Sequence, residues 1–85
     1  MSFAESGTIA LEPPEGYEDL GVAIREQRTV VVTYEGAMTG IVERRITPRG
    51  LMQSRGRAYL TAMCHRSGTE KTYRLDRIRQ MSMED

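Results

Sequence analysis

Residues 56–78 read GRAYLTAMCHRSGTEKTYRLDRI. From Arg57 to His65 the chain alternates. Ala58, Leu60, Ala62 and Cys64 share one face; Arg57, Tyr59, Thr61, Met63 and His65 share the other. That period of two predicts a strand with one buried and one wet side. Ser67-Gly68 is a turn signal, and Glu70 to Leu75 runs back with Tyr73 and Leu75 apolar. The segment is therefore a β-hairpin. It carries Arg57, Arg66, Arg74 and Arg77 together with Lys71 and His65.

Upstream, the same alternation appears twice more. TVVVTYE, residues 29–35, is almost wholly β-branched or aromatic and predicts a strand. A turn over Gly36 to Gly40 leads to IVERRITP, residues 41–48, where Glu43 and Arg45 oppose Val42, Arg44 and Ile46. Pro48 is expected to end that strand, Leu51 to Gln53 to begin a third, and Ser54 to Gly56 to turn the chain back. Downstream, Asp76 to Ile78 predicts a short helical turn, and Gln80 to Met83 an edge strand. Before the strands, Leu20, Ala23, Ile24 and Gln27 fall at helical spacing within residues 17–27. Glu18 and Asp19 occupy the first turn, where the helix dipole favours anions, and Gly21 weakens the helix.

The expected class is mainly β: one N-terminal helix, then five or six short strands curled into a small barrel, since an open sheet in so short a chain exposes long edges. Residues 17–85 form that domain. Residues 1–16, MSFAESGTIALEPPEG, read as a flexible acidic lead or linker, with a short extended piece at Thr8 to Leu11. The chain is 85 residues long, enough for one small core.

The net charge of zero conceals a division along the chain. Residues 1–19 carry five acids and no base, a charge of −5. Residues 20–79 carry all twelve cations against five acids, +7, and Glu84 and Asp85 close with −2. Eleven of the twelve cations are arginine, whose planar fork suits phosphate or carboxylate.

Enzyme signatures are missing. Cys64 and His65 are the one cysteine and the one histidine. As neighbours on a strand they point to opposite faces, so they do not act together as nucleophile and base. One cysteine permits neither an internal disulfide nor a thiolate metal cage. No lysine stands at phosphate-loop spacing from the glycines, and the sequence calls for no cofactor. No apolar run approaches membrane length and no secretion signal is visible, so the expected setting is the cytoplasm. What remains is the cationic face. Pairing the strands is expected to gather Arg45, Arg57, Tyr59, Arg74 and Arg77 into one patch, where guanidinium groups take phosphate oxygens and the ring stacks or donates its hydroxyl.

These residues resemble the WYL domain family. The resemblance rests on Ile24 with Arg28, Tyr34, Arg44-Arg45-Ile46-Thr47-Pro48, Gly56-Arg57-Ala58-Tyr59-Leu60, Cys64, and the closing Tyr73-Arg74-Leu75-Asp76-Arg77-Ile78. It spans Gly21 to Met81. Ala58 stands where the family has its namesake tryptophan, and Tyr73 where a phenylalanine is usual. The resemblance implies an Sm-like barrel and a part in bacterial transcription regulation. It also implies binding of a negatively charged ligand, single-stranded nucleic acid or a nucleotide, with Tyr59, Arg74 and Arg77 as ligand-binding positions and Arg45 and Arg57 supporting them. Family members usually sit beside a winged helix-turn-helix or follow helicase and nuclease domains. With one helix, this chain is expected to be a stand-alone accessory module or a piece of a larger parent protein. The alternative is a protein-interaction or homo-oligomerisation module acting through the barrel's edge strands, motivated by the methionine-rich tail and by Ala58.

Overall fold

The computed structural model describes residues 9–10 and 12–84. In chain order the elements are β1 (Ile9–Ala10), α1 (Glu18–Glu26), β2 (Val30–Gly36), β3 (Gly40–Ser54), β4 (Arg57–Cys64), β5 (Thr69–Arg74), a 3-10 turn (Leu75–Arg77) and β6 (Ile78–Met83). The chain is mainly β, with one α-helix among the described residues. The sheet runs β5-β4-β3-β2-β6, every pair antiparallel, and β1 pairs with the far end of β3 at Met52 and Gln53.

Two expected strands are one. Pro48 does not end β3, which runs unbroken for 15 residues. Its partner β4 slips register between Pro48 and Gly50, leaving Arg49 as the extra residue. Bulges tolerate proline, and they bend a strand. The bend lets one strand serve two neighbours: β2 along residues 40–46 and β4 from Ile46 onward. The turn after β3 places Arg55 and Gly56 at φ of 53° and 78°, the left-handed region that suits Gly56 and a tight reversal.

The expected barrel is not closed. No ladder joins β5 to β6 among the described residues. Yet these strands sit at opposite edges of the sheet and are consecutive in the chain. Three intervening residues reach at most about 14 Å, so the sheet has to curl until its edges nearly meet. The 3-10 turn fills the seam in place of hydrogen-bonded strands. Leu75 and Ile78 are buried there. The Tyr17 hydroxyl donates to the Leu75 carbonyl at 3.1 Å, and the Arg74 N–H donates to the Tyr34 hydroxyl at 3.2 Å. Two phenols thus satisfy backbone groups that a ladder would otherwise pair.

The alternating residues close the core as the period predicts. Val30, Val32, Ile46, Leu60 and Ala62 are wholly buried on the concave side, and Leu20 and Ala23 of α1 cover them. Helix α1 begins at Glu18 without a side-chain cap and ends at Gln27 in the left-handed conformation, φ 55°. Gly21, a weak point for the helix, has a packing reason: a Cβ there would lie 2.9 Å from Pro13 Cγ. Of the acidic lead, residues 1–8 and 11 lie outside the described residues. Ile9–Ala10 pair with β3, and the Pro14 carbonyl accepts the Tyr17 N–H at 2.9 Å. No helix among the described residues is long and apolar enough to cross a membrane.

Candidate functional site

The register decides which arginines meet. Tyr59 pairs directly with Arg74 of β5 on one side and with Met52 of β3 on the other. Arg57 lies two residues before Tyr59 and shares its face, opposite the half-buried Ala58 and the buried Leu60. The phenol and the Arg74 guanidinium are therefore cross-strand neighbours on the convex side of the sheet.

Arg74 is already engaged. Its Nε and one terminal nitrogen donate to the two Asp76 oxygens at 3.0 and 2.7 Å. That fork holds the Asp76 carboxyl below the usual carboxylate range, and Arg57 and Arg77 pull in the same direction. Four residues thus converge on one carboxylate-centred corner: Arg57, Tyr59, Arg74 and Arg77. The chain turns at Leu75, which buries its side chain and throws Asp76 and Arg77 outward. Beside the corner, a depression of about 390 Å³ is lined by Glu35, Arg74, Asp76, Arg77 and Arg79. Arg79 is ion-paired with Glu35.

Arg45 is not part of this corner. It pairs with Val31 in the β2–β3 ladder, and its carbonyl accepts the His65 N–H at 3.0 Å. His65 is six residues beyond Tyr59, roughly 20 Å along an extended strand. The expectation that Arg45 joins the patch fails on register: β3 crosses β4 at Cys64, the end remote from Arg57. At its own end Arg45 makes a forked pair with Glu84, at 3.1 and 2.6 Å.

Sequence reasoning does not single out Glu35 or Arg79. For Asp76 a signal exists. In Arg74-Leu75-Asp76 an apolar residue separates two polar ones, so the arginine and the carboxylate share a side. His65 faces solvent and its Nε2 lies 2.8 Å from the Thr47 hydroxyl, while Cys64 is buried behind it. Among the described residues no group of three or more His, Cys, Asp or Glu side chains is placed to hold a metal ion.

The family model for the WYL domain matches residues 15–83. The chain belongs to the WYL domain family. The WYL match covers α1 and β2 to β6, so all four corner residues lie within it. Among solved structures, this WYL domain is similar to proteasome accessory factor B/C (PafBC) of Arthrobacter aurescens, with a TM-score of 0.78 at 23% identity. The likeness covers 95% of this chain and 14% of that one, and it is a likeness of fold. No curated protein matches the chain.

Proposed function

We propose that the chain is a regulatory binding module that recognises a phosphate-bearing polyanion, single-stranded nucleic acid or a nucleotide, through Arg57, Tyr59, Arg74 and Arg77. The observation that carries this reading is the direct cross-strand pairing of Tyr59 with Arg74, with two further guanidinium groups acting on the same carboxylate. A base stacks on the phenol while its phosphates meet the arginines. The Arg74–Asp76 pair lies at the surface, where solvent screens an ion pair and leaves it little net stabilisation. A phosphate therefore displaces Asp76 at small cost, and three cations against one acid leave the corner positive. Fluorescence anisotropy with labelled single-stranded oligonucleotides at low and moderate salt tests this. Affinity should fall with salt and exceed that of a charge-matched control protein; equal affinity overturns the proposal.

A second reading, edge pairing with another copy or a parent domain, is supported by β5 and β6. Each has one edge without a strand partner among the described residues. Light scattering across a concentration series tests it, and a strict monomer counts against self-association.

A further inference from the structure

The concave side carries a second group of cations, on residues the family resemblance does not single out for ligand binding. Beyond the crossing at Ile46 and Cys64, the β2–β3 and β4–β5 hairpins share one further backbone hydrogen bond, from the His65 N–H to the Arg45 carbonyl, and then splay apart. Between them lies a cleft of about 490 Å³, within the size range of small-molecule sites. Its floor is an edge-to-face pair of phenols, Tyr34 and Tyr73, with ring centres 5.1 Å apart, flanked by Val42. Its walls carry Arg44, Arg66 and Lys71.

Two of these cations stand in inward register. Arg44 pairs with Val32, and Lys71 pairs with Ala62; both partners are wholly buried. A strand that keeps its apolar period yet places a charge in phase with the core has put that charge at the mouth of the core. No carboxylate lines the cleft among the described residues. The hydrogen bond Arg44 makes is to the Glu43 backbone carbonyl, at 3.0 Å. Among the described residues none of the three cations is in an ion pair, whereas Arg45, Arg74 and Arg79 each hold a carboxylate. Three cations with no carboxylate partner, set around an aromatic floor, make a receptor for an anion with a flat or apolar body.

We propose that this cleft is a second anion site, distinct from the convex corner, which takes a small phosphomonoester. Its phosphate is held by Arg44, Arg66 and Lys71, with the Ser67 and Thr72 hydroxyls nearby, and its body lies against Tyr34 and Tyr73.

Titration of the full chain with phenyl phosphate, inorganic phosphate and benzoate, followed by amide NMR, tests the proposal. Phenyl phosphate should give saturable shifts centred on Arg66, Ser67 and Lys71, and should bind more tightly than either of the others. Arg66 and Lys71 are exposed on a hairpin, so the double variant Arg66→Gln, Lys71→Gln keeps the fold. It should weaken phenyl phosphate roughly tenfold, about 1.4 kcal/mol. The double variant Arg74→Gln, Arg77→Gln should leave that affinity unchanged. Shifts that fail to saturate, shifts centred on Arg74 and Arg77, or indifference to the Arg66/Lys71 change overturn the second site. Benzoate binding as tightly as phenyl phosphate overturns its assignment to phosphate. Oligonucleotide binding at the corner is read separately, so either site can fail alone.

Discussion

The convex corner and the concave cleft both gather arginine around tyrosine, yet they treat charge in opposite ways. At the corner Arg74 is locked to Asp76, while Arg77 and Arg57 reinforce that carboxylate's ionised state. In the cleft Arg44, Arg66 and Lys71 share one lining without a carboxylate among the described residues. A paired arginine is pre-positioned but has to exchange partners; an unpaired one waits in the open and repels its neighbours. The corner is thus suited to a long polyanion that supplies many weak exchanges. The cleft is suited to one compact dianion that relieves repulsion in a single step.

The largest effect that bears on this contrast is expected at the corner. The double variant Arg74→Ala, Arg77→Ala should weaken single-stranded oligonucleotide binding roughly thirtyfold. The salt dependence of log affinity should become shallower by about 0.7 for each phosphate that no longer meets a guanidinium. Arg45→Ala, at the remote end of β3, should leave anisotropy titrations unchanged. If Arg45→Ala matched the double variant, binding would be governed by overall charge and the corner would have no special standing.

One residue belongs to both regions. The Tyr34 ring floors the cleft, and its hydroxyl accepts the Arg74 N–H at the seam. Tyr34→Phe keeps the ring and strands that N–H, which should cost about 1 kcal/mol in urea denaturation and loosen Arg74. Phenyl phosphate affinity should change little, because the aromatic floor survives. A loss of phosphate binding with corner binding intact would reverse the roles given to ring and hydroxyl.

Asp76→Asn sharpens the contrast further. If Asp76 is a competitor that phosphate displaces, its neutralisation should tighten oligonucleotide binding about threefold, the size of a weak exposed ion pair. Weaker binding would instead make Asp76 a strut that orients Arg74.

Much of this is legible in the alternation of side chains. The faces of β4, the Ser67-Gly68 turn and the short helical turn near Asp76 follow from period and turn chemistry, and the structure places them accordingly. In sequence β3 reads as two strands because Pro48 is a strand terminator in most sheets. The bulge at Arg49 that accommodates it has no local signature beyond the nearby Gly50. The place of Arg45 fails for a related reason. Alternation gives the face of a residue, whereas its position along the sheet depends on which end of β3 meets β4, a long-range property. The cleft does leave a trace: Arg44 falls in phase with Val42 and Ile46, a charge in an apolar register. Its partners Arg66 and Lys71 come from another hairpin and are joined to it only by the splay of the fold.

The subtlest expected effect is a pH dependence seated behind the cleft, at Cys64. Burial pushes its thiol up, but hydrogen bonds from the Ser67 backbone and hydroxyl, from Tyr73 and from the Arg66 backbone outweigh burial. They bring the thiol from 9.0 to about 7. Burial also pushes the Tyr73 phenol up, and the bond to Cys64 adds to it, so Tyr73 stays a donor throughout. A folded-state value below the unfolded one means that the unfolded chain binds more protons between about pH 7 and pH 9, so stability rises with pH across that window. The contribution is complete above about pH 9 and is lost as pH falls through about 7. Cys64→Ser keeps a small polar group that does not titrate there. The difference in urea midpoint between the natural chain and Cys64→Ser should therefore move in favour of the natural chain from about pH 6.5 to about pH 9. A difference moving the other way would mean that burial prevails over the hydrogen bonds. The lining of the cleft would then hold a neutral thiol at physiological pH.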